Sequence, residues 1–408
     1  MKKQIILTFI TEFIVLASAL LVYKLAANVF LKEEFSEYVI ARRVITFLVP
    51  IVLMGMTIEM PKHLVTGGKS AEAYYAGGLM IILTFSLLLC LFLNLFSSHI
   101  AYFLFGNAKY SDIIFPITVM LFGLMTHSGC YSFFRGSLDM TNANIIQIIN
   151  GALVPALVFY AYKSPGLVIL ATGILQSLVS LMFFIKIMGR IKNKIVIKIA
   201  CIKILLFYGM QRVPGDMGLA GLLMLPATIA AHIGGINAGG SVAFSISLLN
   251  MVGAIFSPLG LVLLPRVRLI VQKRDYSTLK LYLLKIFKTS LILGILTLAA
   301  YEIFADFILE VYLGKRNADL EYLSRLIMIA CPFYILSLSL RSVIDAYYVK
   351  PVNARNILIS LTFFLLSSLG LLAGAGVNYL IACFVMSMAV LSGLTLYESY
   401  ALFKLNRS

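Results

Sequence analysis

The sequence predicts an all-α polytopic membrane protein, with about 12 transmembrane helices arranged as two pseudo-symmetric six-helix bundles. Two observations predict this class. Of the 408 residues, 61% are apolar and the mean hydropathy is +0.99, whereas soluble domains are roughly 45–50% apolar. Charged residues make up only 12% of the chain, and they separate apolar runs of about 20 residues, which is the length that crosses a hydrocarbon core.

The apolar runs define the predicted spans. Each run is bounded by charged or helix-breaking residues, as expected for helices that enter and leave a bilayer. The spans lie at residues 5–30, 39–61, 73–96, 112–134, 144–162, 167–187, 204–231, 241–264, 279–303, 321–345, 356–374 and 378–402.

The basic residues orient these spans. Most of the 33 lysines and arginines fall in loops on one side, whereas the loops on the other side carry Lys32, Lys109, Lys163, Lys315 and Arg316. Because lysine-rich and arginine-rich loops stay in the cytoplasm, both termini are predicted to be cytoplasmic. A basic inner face against anionic lipid accounts for the net charge of +16, so no nucleic-acid partner is predicted.

The two halves of the chain resemble each other. Four pairs of residues lie about half the chain length apart: Pro61 with Pro265, Glu12 with Asp216, Arg135 with Arg341, and Asp139 with Asp345. We therefore predict an N-terminal six-helix bundle at 1–188, a basic cytoplasmic linker at 189–203 and a C-terminal six-helix bundle at 204–408. Parallel repeats of this kind are an architecture of transporters, in which two bundles rock about a site between them.

No cofactor, metal site or catalytic group is predicted. The five cysteines lack paired spacing and the four histidines lack helical ligand spacing. GGKS at 67–70 lacks the first glycine of a phosphate-binding loop and follows a helix end. No loop greatly exceeds about 20 residues, which excludes an attached ATPase domain.

Several charges fall inside predicted spans, where a central charge costs at least ~2.5–3.5 kcal/mol. Snorkelling to the interface is the simplest interpretation for Glu59, Arg325 and Arg341, which lie near span ends. It is weaker for a set of six deeper residues: Glu12, Lys24, Arg42, Arg43, Arg212 and Asp216.

Span 7 combines two of these charges with helix breakers. Arg212 and Asp216 are four residues apart, so they share a helix face and are able to pair. Pro214 removes a backbone donor and Gly215 loosens the helix, so both are predicted hinge residues of a bent helix beside a wet interior. The alternative is a purely structural ion pair.

The remaining cations predict an anionic cargo. Arg42 and Arg43 are about 100° apart on a helix, so only one is expected to face inward, and we favour Arg43. Guanidinium groups match phosphate oxygens. A cavity lined by Lys24, one of these arginines and Arg212 would therefore hold an anionic, amphipathic molecule.

Four segments carry a family resemblance: ARRVITFLVPIVLMGMTIEMPKHL (41–64), FFRGSLDMTNANI (133–145), YGMQRVPGDMGLAGLLMLPATIAAHIGG (208–235) and SVAFSISLLNMVGAIFSPLGLVLLPRV (241–267). With these segments the chain resembles Wzx-like polysaccharide exporters of the O-antigen translocase type. Their superfamily, the multidrug/oligosaccharidyl-lipid/polysaccharide (MOP) exporters, also holds the multidrug and toxin extruders (MATE) and the lipid II flippase. Unlike fourteen-span members, this chain lacks an extra helix pair.

The resemblance implies a MATE-like fold and a flippase for an undecaprenyl-diphosphate-linked oligosaccharide in the bacterial cytoplasmic membrane. Arg42 or Arg43 and Arg212 would hold the diphosphate or acidic sugars, with Lys24 assisting, although Asp216 partly cancels Arg212. An ion or proton gradient would drive transport, with Glu12 or Asp216 as the coupling group. A polysaccharide polymerase is an implied partner.

Two other functions remain as alternatives. A drug/cation antiporter of the same fold would need an acidic cavity, and here the inferred lining is mostly basic. A polysaccharide polymerase or ligase would need a sizeable outer loop, and the longest ones, 97–111 and 304–320, are short and show no catalytic constellation. The sequence therefore favours a transporter over an enzyme.

Overall fold

The computed structural model describes residues 2–66, 70–191, 197–272, 276–314, 317–347 and 351–404. Within these ranges the chain is helical and contains no β-strand. The helices are α1 (Lys2–Val29), α2 (Lys32–Leu53), α3 (Met56–Thr66), α4 (Ala71–Leu95), α5 (Ser97–Phe105), α6 (Ile114–Gly136), α7 (Met140–Ile148), α8 (Val154–Ala161), α9 (Pro165–Arg190), α10 (Ile199–Gln272), α11 (Tyr276–Leu313), α12 (Ala318–Met328), α13 (Cys331–Tyr347), α14 (Val352–Ser368) and α15 (Val377–Lys404).

Apolar helices of membrane-crossing length dominate the described ranges. By length and composition they number nine, or eleven if the bent pairs α2–α3 and α12–α13 each form one span. One of the nine, Ile199–Ile255, has 57 residues, and non-helical backbone at Gly235 (φ 76°, ψ 176°) divides it. Predicted spans 7 and 8 lie on either side of Gly235. The predicted all-α polytopic fold is thus confirmed.

Two predicted outer loops are partly helical. Segment 97–111 forms α5 and the start of a 3₁₀ helix (Ala108–Ile113), because Ala101, Leu104 and Phe105 bury one face of α5. Nine residues are too few to cross a bilayer, so hydropathy alone does not reveal such a helix. In the second loop, 304–320, α11 continues to Leu313.

The chain forms two compact units, Met1–Val213 and Pro214–Ser408. In the first unit α6 packs against α2, α3, α4, α7 and α9. Helices α6 and α9 approach each other closely at Gly173, where an added Cβ would lie only 2.5 Å from the Met120 Cα. Small residues at such crossings let helix backbones approach closely in membranes.

In the second unit α13 packs against α11 and α15, and α15 also packs against α14. The buried residues at the α11–α13 contact recur every three or four positions, which places them on one face of each helix. They are Leu279, Leu283 and Ile286 from α11, and Leu336, Leu340 and Val343 from α13.

Part of the predicted linker lies outside the described residues. Helix α9 ends at Arg190 and α10 begins at Ile199. Between them, residues 192–196 lie outside the described ranges. GGKS likewise falls mostly on 67–69, outside the described ranges, and the side chain of Pro265 belongs to a segment (256–269) whose side chains are not described. The domain boundaries stay predictions.

Candidate functional site

The second span is broken in its middle, where the sequence predicted one helix at 39–61. Met54 adopts the left-handed conformation (φ 45°, ψ 36°), Gly55 follows with φ 70°, and α2 and α3 meet at 42°. Glycine adopts positive φ at little cost, but methionine does so only where its surroundings hold it there. The break therefore marks a position set by tertiary packing.

The start of α10 packs directly against this break. A Cβ on Gly55 would lie 3.0 Å from Arg212 Cδ and 3.3 Å from Tyr208 Cε1, and a Cβ on Gly209 would lie 2.5 Å from the Met54 carbonyl oxygen. Residues four apart on a helix share a face, so Tyr208 and Arg212 both cover the break. Arg212, predicted to bind cargo, thus has its aliphatic stem on Gly55.

The backbone remains helical through Pro214 and Gly215, and the non-helical residue of α10 is Gly235. Gly215 packs closely against α14, as shown by an added Cβ that would lie 2.7 Å from Ala354 Cβ. Close packing is therefore a sufficient reason for glycine at this position. The hinge role of Pro214 and Gly215 stays a prediction.

The arginine pair on α2 has two different environments. Arg43 is 5% exposed, whereas Arg42 is half-buried. The Arg42 guanidinium carbon lies 5.2 Å from the ring centroid of Tyr23 and 5.9 Å from that of Tyr38, and Nη1 donates a hydrogen bond to Tyr38 Oη at 3.2 Å. Aromatic faces orient a guanidinium, so Arg42 is the more accessible and the more clearly positioned of the two.

The first helix carries the other predicted residues of this unit. Lys24 and Glu12 are both exposed on α1. Glu12 lies close enough to Arg135, in the last turn of α6, for the two charges to attract each other. In the second unit Asp216 accepts a hydrogen bond from Arg341 Nη2 at 3.5 Å. Each predicted coupling acid is thus next to an arginine of its own half. The four residues make up two pairs of the predicted repeat, Glu12 with Asp216 and Arg135 with Arg341.

A further pair of the repeat has matching contacts. Asp139 caps α7, where it accepts hydrogen bonds from the Asn142 backbone N–H at 3.1 Å and from Arg190 Nη1 at 2.6 Å. Asp345 accepts one from Asn353 Nδ2 at 2.5 Å. In each half the aspartate thus binds an asparagine of the helix that follows it.

One cluster differs from the sequence-based interpretation. Glu59, interpreted as snorkelling, is only 4% exposed. Its Oε1 accepts a hydrogen bond from Lys62 Nζ at 3.0 Å and is 3.1 Å from His63 Nε2. The His63 ring stacks on Tyr74 of α4, with centroids 3.9 Å apart and planes 4° apart. The spacings i, i+3 and i+4 on one helix are the sequence signal that predicts such a cluster.

The cluster adjoins the residues that cover the break. Lys62 Nζ lies 5.9 Å from the ring centroid of Tyr208. Lys62 and Arg212 are therefore both next to Tyr208, from α3 and α10 respectively. We call Lys62, Tyr208 and Arg212 the Tyr208 surface, and Glu59, Lys62 and His63 the Glu59 cluster.

Among the described residues, no group of three or more His, Cys, Asp or Glu side chains could hold a metal ion.

No family model matches the chain, and no curated protein matches it significantly. Solved structures do match. An inward-facing multidrug resistance MATE family transporter of the MOP superfamily is 12% identical with a TM-score of 0.77, over 95% of this chain and 96% of its own. The chain has the fold of MOP-superfamily transporters.

Two more solved structures have the same MOP-superfamily fold. Lipid II flippase MurJ, in an inward closed conformation, is 14% identical with a TM-score of 0.69, over 99% of this chain and 90% of its own. A MOP superfamily transporter from Pyrococcus furiosus, described as having a binding pocket of reverse polarity, is 10% identical with a TM-score of 0.66, over 100% of this chain and 97% of its own. At these identities the similarity shows the fold, and the predicted MATE-like fold is confirmed.

Proposed function

We propose that the protein is a flippase that moves an undecaprenyl-diphosphate-linked oligosaccharide from the inner to the outer leaflet of the bacterial cytoplasmic membrane. The supporting observation is the placement of cations in the first unit. Arg42 is oriented by two tyrosines, and Arg212 lies with Lys62 around Tyr208. Cationic side chains that are positioned by neighbouring tyrosines suit a diphosphate, because a diphosphate offers several acceptor oxygens to guanidinium groups.

In this proposal the diphosphate is held by the cations while the lipid tail remains in the bilayer. Arg43 and Lys24 assist, and the protein alternates between inward-open and outward-open states. The break at Met54–Gly55 lies in a span that carries two of the arginines, and Arg212 packs against it. A proton or ion gradient drives the cycle, with Glu12 and Asp216 as coupling groups. A polysaccharide polymerase is the partner expected to use the product.

The second candidate is a drug/cation antiporter. The similarity to a multidrug resistance MATE family transporter supports it, and so does the exposed carboxylate of Glu12 on α1. Against it, Arg42, Arg43 and Arg212 would repel a cationic drug. Binding of lipophilic cations without binding of polyprenyl diphosphates would favour the antiporter.

The first test measures translocation in proteoliposomes. Fluorescently labelled undecaprenyl-diphosphate oligosaccharide in the inner leaflet becomes accessible to an external quencher only after flipping. We expect flipping by the wild type and at least a tenfold loss in Arg42→Ala and Arg212→Ala, since each removes a charge-assisted contact worth about 1.5–3 kcal/mol.

Lys163→Ala, which removes an exposed cation from a loop predicted to face outward, is the matched control and is expected to retain activity. The absence of flipping by folded wild-type protein, together with antiport of a lipophilic cation, would reject the flippase proposal.

A further inference from the structure

We propose that the Glu59 cluster is a proton-binding site that controls how tightly the Tyr208 surface binds the diphosphate of the cargo. The inference rests on the proposed flippase function and adds two elements to it. It makes Lys62 a cargo-binding residue, and it identifies Glu59 with His63 as the pair whose protonation is coupled to cargo binding.

The geometry of the cluster supports a proton site. Glu59 is almost fully buried, and its Oε1 is shared by Lys62 and His63. Its Oε2 is buried too and has no hydrogen-bond partner in the described part of the chain. Burying a carboxylate with incomplete pairing is costly, and uptake of a proton reduces that cost.

His63 is the accessible member of the pair. Its side chain is 18% exposed, against 5% for Glu59, so the imidazole is the more accessible of the two groups. A protonated His63 would lie between the Glu59 carboxylate and the face of Tyr74, and both attract a cation. The proton comes from water, and no other bond forms or breaks.

Several charged and titratable groups lie at the same end of the helices that pack against α3. They are Glu72 and Tyr74 of α4, Arg135 in the last turn of α6, and Tyr208 and Arg212 of α10. One proton changes the Glu59 cluster from a net charge of zero, with neutral His63, to a net charge of plus one.

Lys62 transmits this change to the cargo. Lys62 belongs to both groups, because its Nζ donates to Glu59 and also lies beside the Tyr208 ring. When Glu59 is neutralised, or its charge is taken up by protonated His63, Lys62 interacts more strongly with an anion on the Tyr208 surface. By linkage, anion binding in turn promotes proton uptake to the same extent.

The test is the pH dependence of binding to the full-length protein in nanodiscs. The probe is a fluorescent undecaprenyl diphosphate bearing one sugar, in which both phosphates are esterified and keep their charge between about pH 6 and pH 8. We expect wild-type binding to tighten roughly tenfold from about pH 8 to pH 6, the effect of one added charge in a partly exposed site. Wild-type binding that does not change with pH would overturn the inference.

Two variants separate the proton site from the cargo site. Glu59→Gln removes the negative charge of the cluster, so its binding at about pH 8 should already be as tight as wild-type binding at about pH 6. His63→Gln keeps a donor for Glu59 but cannot take up the proton, so binding should stay weak at both pH values. A pH response in His63→Gln that equals the wild-type response would overturn the inference, and this variant keeps the test valid if Glu59→Gln does not fold.

Glu72→Gln is the matched control, because it removes a carboxylate of α4 that is outside the Glu59 cluster. It should retain the wild-type pH response, and loss of that response would overturn the assignment to Glu59. Failure of the underlying function gives a different result. If folded wild-type protein does not bind the probe at any pH, the flippase proposal itself is rejected.

Discussion

Two glycines of α9 allow a sharp test of the packing in the first unit. Both are replaced by alanine, so the chemical change is identical. At Gly173 the new Cβ would lie 2.5 Å from Met120 Cα, 2.6 Å from Met120 N and 2.7 Å from the Val119 carbonyl carbon. At Gly189 it would meet nothing within 4 Å.

The two substitutions should have opposite effects on stability. Carbon atoms pack best at about 3.5–4.0 Å, so α6 and α9 must separate by roughly 1 Å to accept the methyl group of Gly173→Ala. Overpacking of this kind costs about 1–3 kcal/mol. Gly189→Ala meets no obstacle and should gain up to about 1 kcal/mol, because alanine loses less conformational entropy than glycine in a helix.

The cysteines provide the assay. Cys130, Cys201, Cys331 and Cys383 are buried, so a thiol-reactive dye reports unfolding of detergent-purified protein as it is heated. We expect a Tm order of Gly189→Ala, wild type, Gly173→Ala, from highest to lowest. A Gly173→Ala protein at least as stable as Gly189→Ala would show that α6 and α9 do not approach each other through Gly173.

Three further outcomes are expected. Gly55→Ala should lower stability by about 1–2 kcal/mol in denaturant unfolding, since alanine is disfavoured at φ 70°. Burial acts to raise the pKa of Asp139, but hydrogen bonds, first of all from Arg190, leave that pKa below its ordinary value. Asp139→Asn should therefore lower stability near neutral pH, and the loss should vanish as pH falls through the folded pKa, which a pH series of melting curves would reveal. Arg42→Lys should weaken cargo binding about tenfold in the nanodisc assay, because lysine cannot reproduce the planar contact with Tyr38.

The sequence predicted the spans well because hydropathy and run length are direct consequences of the bilayer. It did not predict the break at Met54–Gly55, since the prolines at 50 and 61 lie inside helices and the positive φ of Met54 depends on packing against α10. Short helices such as α5 were missed for a related reason, because they are apolar but do not cross the membrane.

Among the charged residues, the arginines were predicted as candidates because a charge within an apolar run is conspicuous. The sequence predicted that Asp216 could pair with Arg212, but it did not predict the contacts of Asp216 with Arg341 and of Glu12 with Arg135, because these arginines lie on helices far away in the sequence. Glu59 was misinterpreted because its distance from the span end was considered and its spacing to Lys62 and His63 was not. Spacing on a helix is local information, so the Glu59 cluster was within reach of sequence reasoning.

The acid–arginine contacts within each half also bear on ancestry. Glu12 with Arg135 and Asp216 with Arg341 occupy equivalent positions of the predicted repeat, which is the pattern that gene duplication and fusion leave behind. With the six spans predicted for each copy, the second copy would enter the membrane in the same orientation as the first. A fused ancestor would have kept its topology without any rearrangement of loop charges, and each half could then diverge at one residue while the other retained the original contact.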